Sequence, residues 1–405
     1  MTMEFNPSPS TIMHIDINSA FATIEQQADP FLRGIPIAVV AYDSPGGVIL
    51  APSIEAKKYG IKTGMRLADG RVLCPELLAI LPDPDKYRFI HRKMHKLLSK
   101  YSPEVYPKSI DEFVSDFATL RNLELTEVAK KIKTQIRKEI GERISVSIGV
   151  GTNRQLAKVA AGIVKPDGLV EINKDNFYEI YKNLKLTDLN GINTRNEYRL
   201  NSARIYNVIE FYEAPLSSLQ RVFRSVNANY WYARLRGWEV DSVEFERKSF
   251  GNSYAIPQNL TSPQELSPIL AKLVNKTASR LRAHSYAAYG VHIGVSFKGK
   301  GYWHHGERLA QPVFYTSDIF KAAYRILASA RFPRPVHTLS ITCYSIVANA
   351  PLQLSVFEDR EKKSSLAKAI DKVNNRYGAF VLGTANALPA GSAASDRIAF
   401  GLPME

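Results

Sequence analysis

Two adjacent carboxylates, Asp111 and Glu112, interrupt a stretch that otherwise reads as strand, Lys108-Ser109-Ile110-Asp111-Glu112-Phe113-Val114-Ser115-Asp116. Neighbouring residues of a regular strand point to opposite faces, so the two can serve one object only at a strand end, a hairpin turn or a bulge. A solvated turn is one reading, since carboxylates are ordinary there. A site for something positive is the other. Asp16 poses a similar choice, because Ile12 to Ile17 reads as a strand and Asn18 to Gln27 as the start of a helix carrying Phe21 and Ile24 on one side. A carboxylate at that junction can face a cleft, where a metal relieves the cost of its burial. It can equally cap the helix that follows.

Taken in order, residues 29–84 form a compact insertion: strand over Ile35 to Tyr42, a turn at Gly46-Gly47, strand over Val48 to Ala51, and a helix from Ser53 to Tyr59. Ser53 suits the N-cap and Gly60 the position just past the helix, while Lys57 and Lys58 are placed to meet phosphates. A basic amphipathic helix follows from Lys86 to Tyr101, with Phe89, Met94 and Leu97 among its apolar positions. Leu123 to Glu139 is helical. Arg143 to Gly149 then alternates, Ile144, Val146 and Ile148 against Ser145 and Ser147, as a half-buried strand does. Asn153 to Val164 makes another helix, closed by the turn chemistry of Lys165-Pro166-Asp167-Gly168. This order implies an antiparallel or mixed sheet with helices on one face, an α+β layer. Asp16 and the Asp111-Glu112 pair then come from neighbouring strands, as two-metal phosphoryl transfer requires of carboxylates that hold two divalent ions about 3.5–4 Å apart.

A chain of 405 residues exceeds what one hydrophobic core organises, so roughly two to four domains are expected. The net charge is +14, and the stretch from Phe245 to Ala350 carries 13 Lys and Arg against 4 Asp and Glu, or +9 of it. Localised positive charge favours a polyanionic partner. The two cysteines, Cys74 and Cys343, give neither metal-ligand spacing nor a disulfide framework, which suits a reducing compartment. Met1 to Ser10 lacks the features of a secretion signal, and no apolar run reaches membrane-spanning length. A cytoplasmic, nucleoid-associated protein is expected, with no membrane partner.

His14-Ile15-Asp16-Ile17-Asn18-Ser19-Ala20-Phe21-Ala22, Ser53-Ile54-Glu55-Ala56-Lys57, Ser109-Ile110-Asp111-Glu112 and Val164-Lys165-Pro166-Asp167-Gly168 stand in the order and spacing of a Y-family translesion DNA polymerase. The sequence resembles above all the bacterial UmuC/DinB type. The resemblance implies an α+β multidomain, right-hand polymerase with palm, fingers, helical thumb and a β-α-β-β-α-β little finger. It implies that Asp16, Asp111 and Glu112 are the catalytic, metal-binding carboxylates, with the Ile17 carbonyl as a further ligand. Two Mg2+ ions, with Mn2+ as the alternative, are the implied cofactors. Phe21 matches the aromatic steric gate that fills the space a ribose 2′-hydroxyl needs; a core aromatic is the plainer reading of that position. Lys165 matches the palm lysine that meets the triphosphate of the incoming dNTP, and otherwise reads as a solvated turn lysine. Where the family shows a tyrosine and an arginine on the fingers helix, this chain has Ile54 and Lys57. Ile54 donates no hydrogen bond and lysine lacks the bidentate fork of arginine, so Lys57 alone is kept as a nucleotide-binding residue.

Leu186-Thr187-Asp188-Leu189-Asn190-Gly191-Ile192-Asn193 resembles a degenerate helix-hairpin-helix, with Asn190 and Asn193 where the motif has proline and a second glycine. Gly191 is the residue expected on a DNA phosphate. From residue 245 the pattern is β-α-β-β-α-β: Arg247 to Ala255, Pro263 to Ala283, Ala287 to Lys300, Tyr302 to Leu309, Ser317 to Ala330 and Val336 to Ile346. Val291, Ile293, Val295 and Phe297 alternate against His292, Ser296 and Lys298, and Leu339, Ile341 and Cys343 against Thr338, Ser340 and Thr342. A sheet with one such polar face can lie along a DNA backbone without reading bases, and Lys248, Ser296, Lys298 and Ser340 are expected there. The Lys272, Lys276, Arg280 stripe reads as the solvated face of its helix. Gln353, Leu354, Val356 and Phe357 resemble the peptide that binds the bacterial sliding clamp, three large apolar side chains that must dock somewhere. Ser364 to Tyr377 should be helical and Thr384 to Ser395 mobile, with no chemistry assigned to either.

The domains expected are palm 1–28 and 85–175, fingers 29–84, thumb 176–237, linker 238–244, little finger 245–350, and a clamp-binding peptide with tail 351–405. The function implied is template-directed, low-fidelity translesion DNA synthesis, transferring a dNMP to a primer 3′-hydroxyl in DNA damage tolerance and the SOS response. Primer-template DNA, dNTP and the bacterial sliding clamp are its partners. A non-catalytic, polymerase-like scaffold that binds DNA and clamp is the rival reading, favoured by Ile54 and Lys57 and disfavoured by the three carboxylates. A nucleotidyl cyclase would need no basic second domain, hairpin or clamp peptide.

Overall fold

The computed structural model describes residues 3–120, 123–242, 247–348, 360–378, 380–391 and 393–394. Its first strand, β1 (Ile12–Ile17), leads into α1 (Ala20–Ala28) and then into a small three-stranded sheet with its own core. That subdomain comprises β2 (Ile37–Val40), β3 (Ile49–Pro52), α2 (Ile54–Lys58), α3 (Leu67–Leu73) and β4 (Leu78–Ile80). Ser53 caps α2 by accepting the Ala56 N–H, and Gly60 takes φ +83°, as its cap and stop chemistry implied. The chain returns through α4 (Pro84–Leu98), β5 (Glu104–Pro107), β6 (Glu112–Asp116), α5 (Leu125–Glu139), β7 (Val146–Gly151), α6 (Arg154–Ile163) and β8 (Leu169–Ile172).

β1 lies at the centre of a five-stranded sheet of order β5-β6-β1-β7-β8, antiparallel except for β7 with β8. The register sets Asp16 directly opposite Glu112. Met13, Ile15, Ile17 and Phe113 face one side, where α1, α4 and α5 supply Phe21, Tyr87, Met94, Ile132 and Ile136 to a single buried cluster. Phe89 does not join it; it is exposed, with the Lys93 ammonium over its ring. Helices were expected on one face only, yet α6 covers the other, where Ile12, Val114 and Ala157 meet. For that reason β7 is buried along its whole length and Ser147, read as solvent-facing, is 0% exposed. Glycine makes this close approach of helix to strand feasible: a Cβ on Gly149 would lie 2.0 Å from the Ala157 carbonyl oxygen and 2.2 Å from the Ala161 nitrogen.

The far side of α6 joins a helical group, α7 (Phe177–Lys182), α8 (Thr194–Ser202), α9 (Val208–Glu213), α10 (Leu216–Phe223) and α11 (Asn227–Arg234), around Tyr181, Leu200, Phe211 and Trp231. Trp238 to Asp241, read as linker, are folded onto this same unit. Trp238 Nε1 donates to the Glu4 carbonyl at 3.0 Å, Glu239 accepts the Arg154 N–H at 2.9 Å, and Asp241 pairs with Arg234.

A second compact unit begins after residue 244. Its β9 (Ser249–Ala255), α12 (Pro263–Ala283), β10 (Tyr286–Phe297), β11 (Tyr302–Val313), α13 (Thr316–Ala328) and β12 (Val336–Ala348) realise the expected β-α-β-β-α-β pattern, in a sheet of order β11-β10-β12-β9. Ser262 and Glu265 form a capping box at the start of α12. Val291, Ile293, Val295, Leu339, Ile341 and Cys343 are all 0% exposed, facing α12 and α13.

The tail departs from expectation. After α14 (Arg360–Tyr377) a turn at Ala385–Ala390 packs along α12, and the carboxylate of Asp371 on α14 accepts two hydrogen bonds from Arg282, both at 2.7 Å. Lys272 of the supposed solvated stripe is 8% exposed, donates to the Gly391 carbonyl and sits 5.1 Å from the Phe380 ring. A lysine tolerates this cover because its stem is apolar and its ammonium finds a carbonyl and a ring face.

Gly149→Ala should destabilise the first unit by about 3 kcal/mol, the upper end of the usual cost of overpacking. Urea unfolding followed by circular dichroism measures it.

Candidate active site

Asp111 and Glu112 escape strict strand alternation because a turn precedes β6. Lys108 N–H donates to the Glu112 carbonyl at 2.9 Å, and Ser109 Oγ accepts the N–H of Glu112 at 3.0 Å while donating to Asp111 Oδ1 at 2.5 Å. Ile17 N–H donates to the Asp111 carbonyl at 3.0 Å, which ties the end of β1 to this turn. Asp16 therefore stands beside Asp111 and opposite Glu112. It caps no helix: α1 starts after Ser19, which adopts the left-handed conformation at φ 50° and makes no side-chain cap.

Asp16, Ile17, Phe21, Lys57, Asp111 and Lys165 all line one cleft of about 490 Å³. Glu112 does not line it. Its Oε2 accepts a 2.7 Å hydrogen bond from Lys158 Nζ on α6 and lies 3.8 Å from His14 Nε2. Lys165 Nζ pairs with Asp16 Oδ2 across the cleft mouth. The loop that carries Lys165 is held by Asn18, whose Oδ1 accepts from the Asp167 N–H at 2.8 Å and from Ser145 Oγ at 3.1 Å. Local sequence does not mark Lys158 and Asn18 as part of this site, because their partners lie 46 and 149 positions away. Lys58, Thr63 and Ser19 also line the cleft, and Ser19 Oγ is buried there with no hydrogen-bond partner among the described residues.

The electrostatics divide the three carboxylates. Burial pushes Asp16 up, against the opposing pull of Lys165, and Glu112 and Asp111 push it further. Burial likewise raises Asp111, opposed by the Ser109 hydrogen bond and reinforced by the charge of Glu112. Glu112 is also desolvated, but the Lys158 hydrogen bond and neighbouring positive charge outweigh this and hold it below the ordinary range. Burial lowers His14 to about 4, so its imidazole is neutral and leaves the work to the lysines. Lys57 is lowered by burial and by Lys165, with Asp16 opposing.

Among the described residues, no three His, Cys, Asp or Glu side chains already converge as a ready metal cage. The donor set nevertheless fits a hard divalent cation, since two half-buried, mutually repelling carboxylates share the cleft and a third stands at the adjoining strand position. Phe21, 2% exposed, reaches the same cleft as part of its wall. Its ring stacks on Tyr87 with centroids 4.5 Å apart and planes 11° from parallel, a contact worth about 0.5–1.5 kcal/mol beyond its buried area.

Comparison with known proteins bears on this arrangement. Residues 15–162 match the impB/mucB/samB family and residues 247–356 match the impB/mucB/samB family C-terminal domain. A DNA polymerase IV of Moorella thermoacetica is 32% identical over 388 residues, covering 93% of this chain and 95% of that protein. DNA polymerase IV 1 of Halalkalibacterium halodurans is 29% identical, covering 91% of each. A solved Y-family DNA polymerase chimera of Dbh and Dpo4 matches with a TM-score of 0.74 at 23% identity, covering 84% of this chain and 99% of that one. The chain belongs to the impB/mucB/samB family. It is thereby a member of the Y-family translesion polymerases that its motifs resemble.

The remaining expected contact residues of this family member fall as follows. Gly191 lies in the turn before α8 with φ +107°, between the buried anchors Leu189 and Ile192. Asn193, read as a missing glycine, is the N-cap of α8. Ser296 and Ser340 share the open face of the second unit's sheet, Ser296 opposite Thr338 and Ser340 opposite Gly294. Lys298 braces a loop instead of projecting freely, donating to the Pro257 carbonyl and to Asn259 Oδ1, both at 2.8 Å. Lys248 is exposed just before β9 with the parity of buried Phe250, so alternation turns it toward the helix-covered side. Gln353, Leu354, Val356 and Phe357 lie outside the described residues.

A carboxyl group raised on folding binds its proton more tightly in the folded state, so its ionisation costs stability once the pH exceeds the unfolded carboxylate range. Asp111→Asn should therefore melt at or above the wild-type temperature at neutral pH in EDTA. The difference should shrink as the pH falls and the wild-type carboxyl takes up its proton; differential scanning calorimetry across pH checks both.

Proposed function

We propose that this chain, a translesion DNA polymerase, joins a dNMP to a primer 3′-hydroxyl in the cleft between β1, α2 and the Lys165 loop. The observation that carries the reading is that Asp16, Asp111, Phe21, Lys57 and Lys165 line one cavity of about 490 Å³. Asp16 and Asp111, with Glu112 and the Ile17 carbonyl beside them, would hold the divalent ions of the family, two Mg2+ or Mn2+. Bound there, such ions lower the charge of the triphosphate and favour the oxyanions that form and leave in an in-line displacement.

The chain's own residues do the rest. Lys57 and Lys165, with Lys58 next to them, offer cationic donors on the fingers side and palm side of the cleft to the β- and γ-phosphates. Lysine contributes point charges where arginine would make a bidentate fork, so the phosphates are held by charge more than by fixed geometry. Lys165 is partnered by Asp16 and Lys158 by Glu112 in the absence of substrate, which orients both carboxylates, opposes the upward push of burial on Asp16 and holds Glu112 below the ordinary range. Phe21 bounds the cleft where the sugar of the incoming nucleotide would sit, leaving no room for a 2′-hydroxyl.

In domain terms, residues 1–28 and 85–175 are the palm, 29–84 the fingers, 176–237 the thumb and 245–350 the little finger. The +9 charge and the open face around Ser296 and Ser340 support backbone contact with DNA by the little finger. Residues 353–357 are the proposed attachment to a sliding clamp, supported by their resemblance alone.

Asp111→Asn and Glu112→Gln should each lower primer extension by at least about a hundredfold while leaving the thermal unfolding transition cooperative. Extension at wild-type rates by both would remove the carboxylates from the chemistry. Phe21→Ala should admit ribonucleotides, read as a fall of about tenfold or more in the dNTP over rNTP ratio of kcat/KM.

A further inference from the structure

Phe21 stands in the first turn of its helix. It sits at the second position of a nine-residue helix whose N-terminus has no side-chain cap, and it is one of the residues that line the cleft. One contact that restrains its ring comes from α4.

We propose that Tyr87 sets the sugar selectivity of this polymerase by holding the Phe21 ring against the cleft. The proposal rests on the reading of Phe21 as the residue that excludes a 2′-hydroxyl, and deepens it. Tyr87, on α4, is 0% exposed and is not among the residues lining the cleft, so it acts through its neighbour as a positioning residue. Its ring lies nearly parallel to that of Phe21, centroids 4.5 Å apart and planes within 11°. Its hydroxyl donates at 2.8 Å to Oε1 of Glu25, which is one turn further along α1 from Phe21 and therefore on the same helix face. Tyr87 thus spans two successive turns of α1, touching Phe21 through its ring face and Glu25 through its hydroxyl.

Glu25, 4% exposed, is itself fixed by Lys86 Nζ at 2.5 Å, the residue preceding Tyr87 on α4. The next position on α1, Gln26, donates to Glu55 Oε2 on α2 at 3.0 Å and to the carbonyl of Leu32 at 3.1 Å. Helix α1 is consequently held on the α4 side by the Tyr87–Glu25–Lys86 group and on the α2 side by Gln26. A ribonucleotide differs from its deoxy counterpart by one oxygen, so a small retreat of the Phe21 ring suffices to accommodate it. A flat aromatic surface behind the ring resists that retreat; a leucine leaves space there, and an unbranched methionine fills the space but yields.

The test measures incorporation of dCTP and rCTP by the full chain on a primed template with Mg2+, taking the ratio of kcat/KM within each variant so that a general loss of activity cancels. Tyr87→Leu should lower the dCTP preference about tenfold, Tyr87→Met should lower it by a smaller factor, and Tyr87→Phe, which keeps the ring and loses the hydroxyl, should stay within about twofold of wild type. Should Tyr87→Leu fail to fold, Tyr87→Met reads the same effect. Phe21→Ala is the control for the underlying reading. If Phe21→Ala loses discrimination while Tyr87→Leu and Tyr87→Met keep it, the positioning role of Tyr87 is overturned. Loss by Tyr87→Phe equal to that of Tyr87→Leu overturns the ring contact as its basis. If Phe21→Ala itself keeps wild-type discrimination, the reading of Phe21 fails, and with it the proposal.

Discussion

The burial of like charge at the end of the inner strands of a hydrophobic sheet is the constraint on which the first unit depends. β1 and β6 are packed on both faces, yet each brings a carboxylate to the same end, with Asp16 and Glu112 in register and Asp111 on the turn that leads from β5 into β6. Charges so placed are costly unless they are answered. Lys158 from the helix over one face and Lys165 from the loop after it supply the answer, and Asn18 ties that loop to the strand end. The helix can approach closely enough because Gly149 has no side chain. Sheet, helix and loop are therefore arranged about one electrostatic problem, and a divalent cation is the other way to solve it.

The wall of the cleft poses a problem of shape. Phe21 is both part of the main core and part of the cleft surface, so its position is dictated from the buried side. Tyr87 and the Glu25–Lys86 pair place a polar, hydrogen-bonded group deep in that core, which favours one packing arrangement over looser alternatives.

Much of this was legible in local patterns. The alternation around Val291 to Phe297 located a central strand, because its apolar face is buried and period two is a strong signal. The cap at Ser53 marked a helix start, an oxygen meeting an orphan N–H group. What stayed hidden was set by distant parts of the chain. Lys158 looked like any helix lysine until α6 was laid over β6. Ser147 looked solvent-facing because nothing local announces a second cover on the sheet. Lys272 looked solvated because its cover comes from Gly391, and Phe89 looked buried because its helix is amphipathic although its own position is not. α3 and β4 were missed altogether, in a stretch where Gly70 lies inside a helix and only three residues form the strand.

The central claim is that the Asp16–Asp111 end of the sheet is where divalent ions bind, with the lysines holding the carboxylates meanwhile. Anomalous diffraction from the full chain bound to primed DNA, an incoming dNTP and Mn2+ tests it most directly. Manganese signal between Asp16 and Asp111, with Lys165 released from Asp16, is the expected result. A complex in which Asp16 remains paired with Lys165, Glu112 with Lys158, and the manganese lies elsewhere would contradict it.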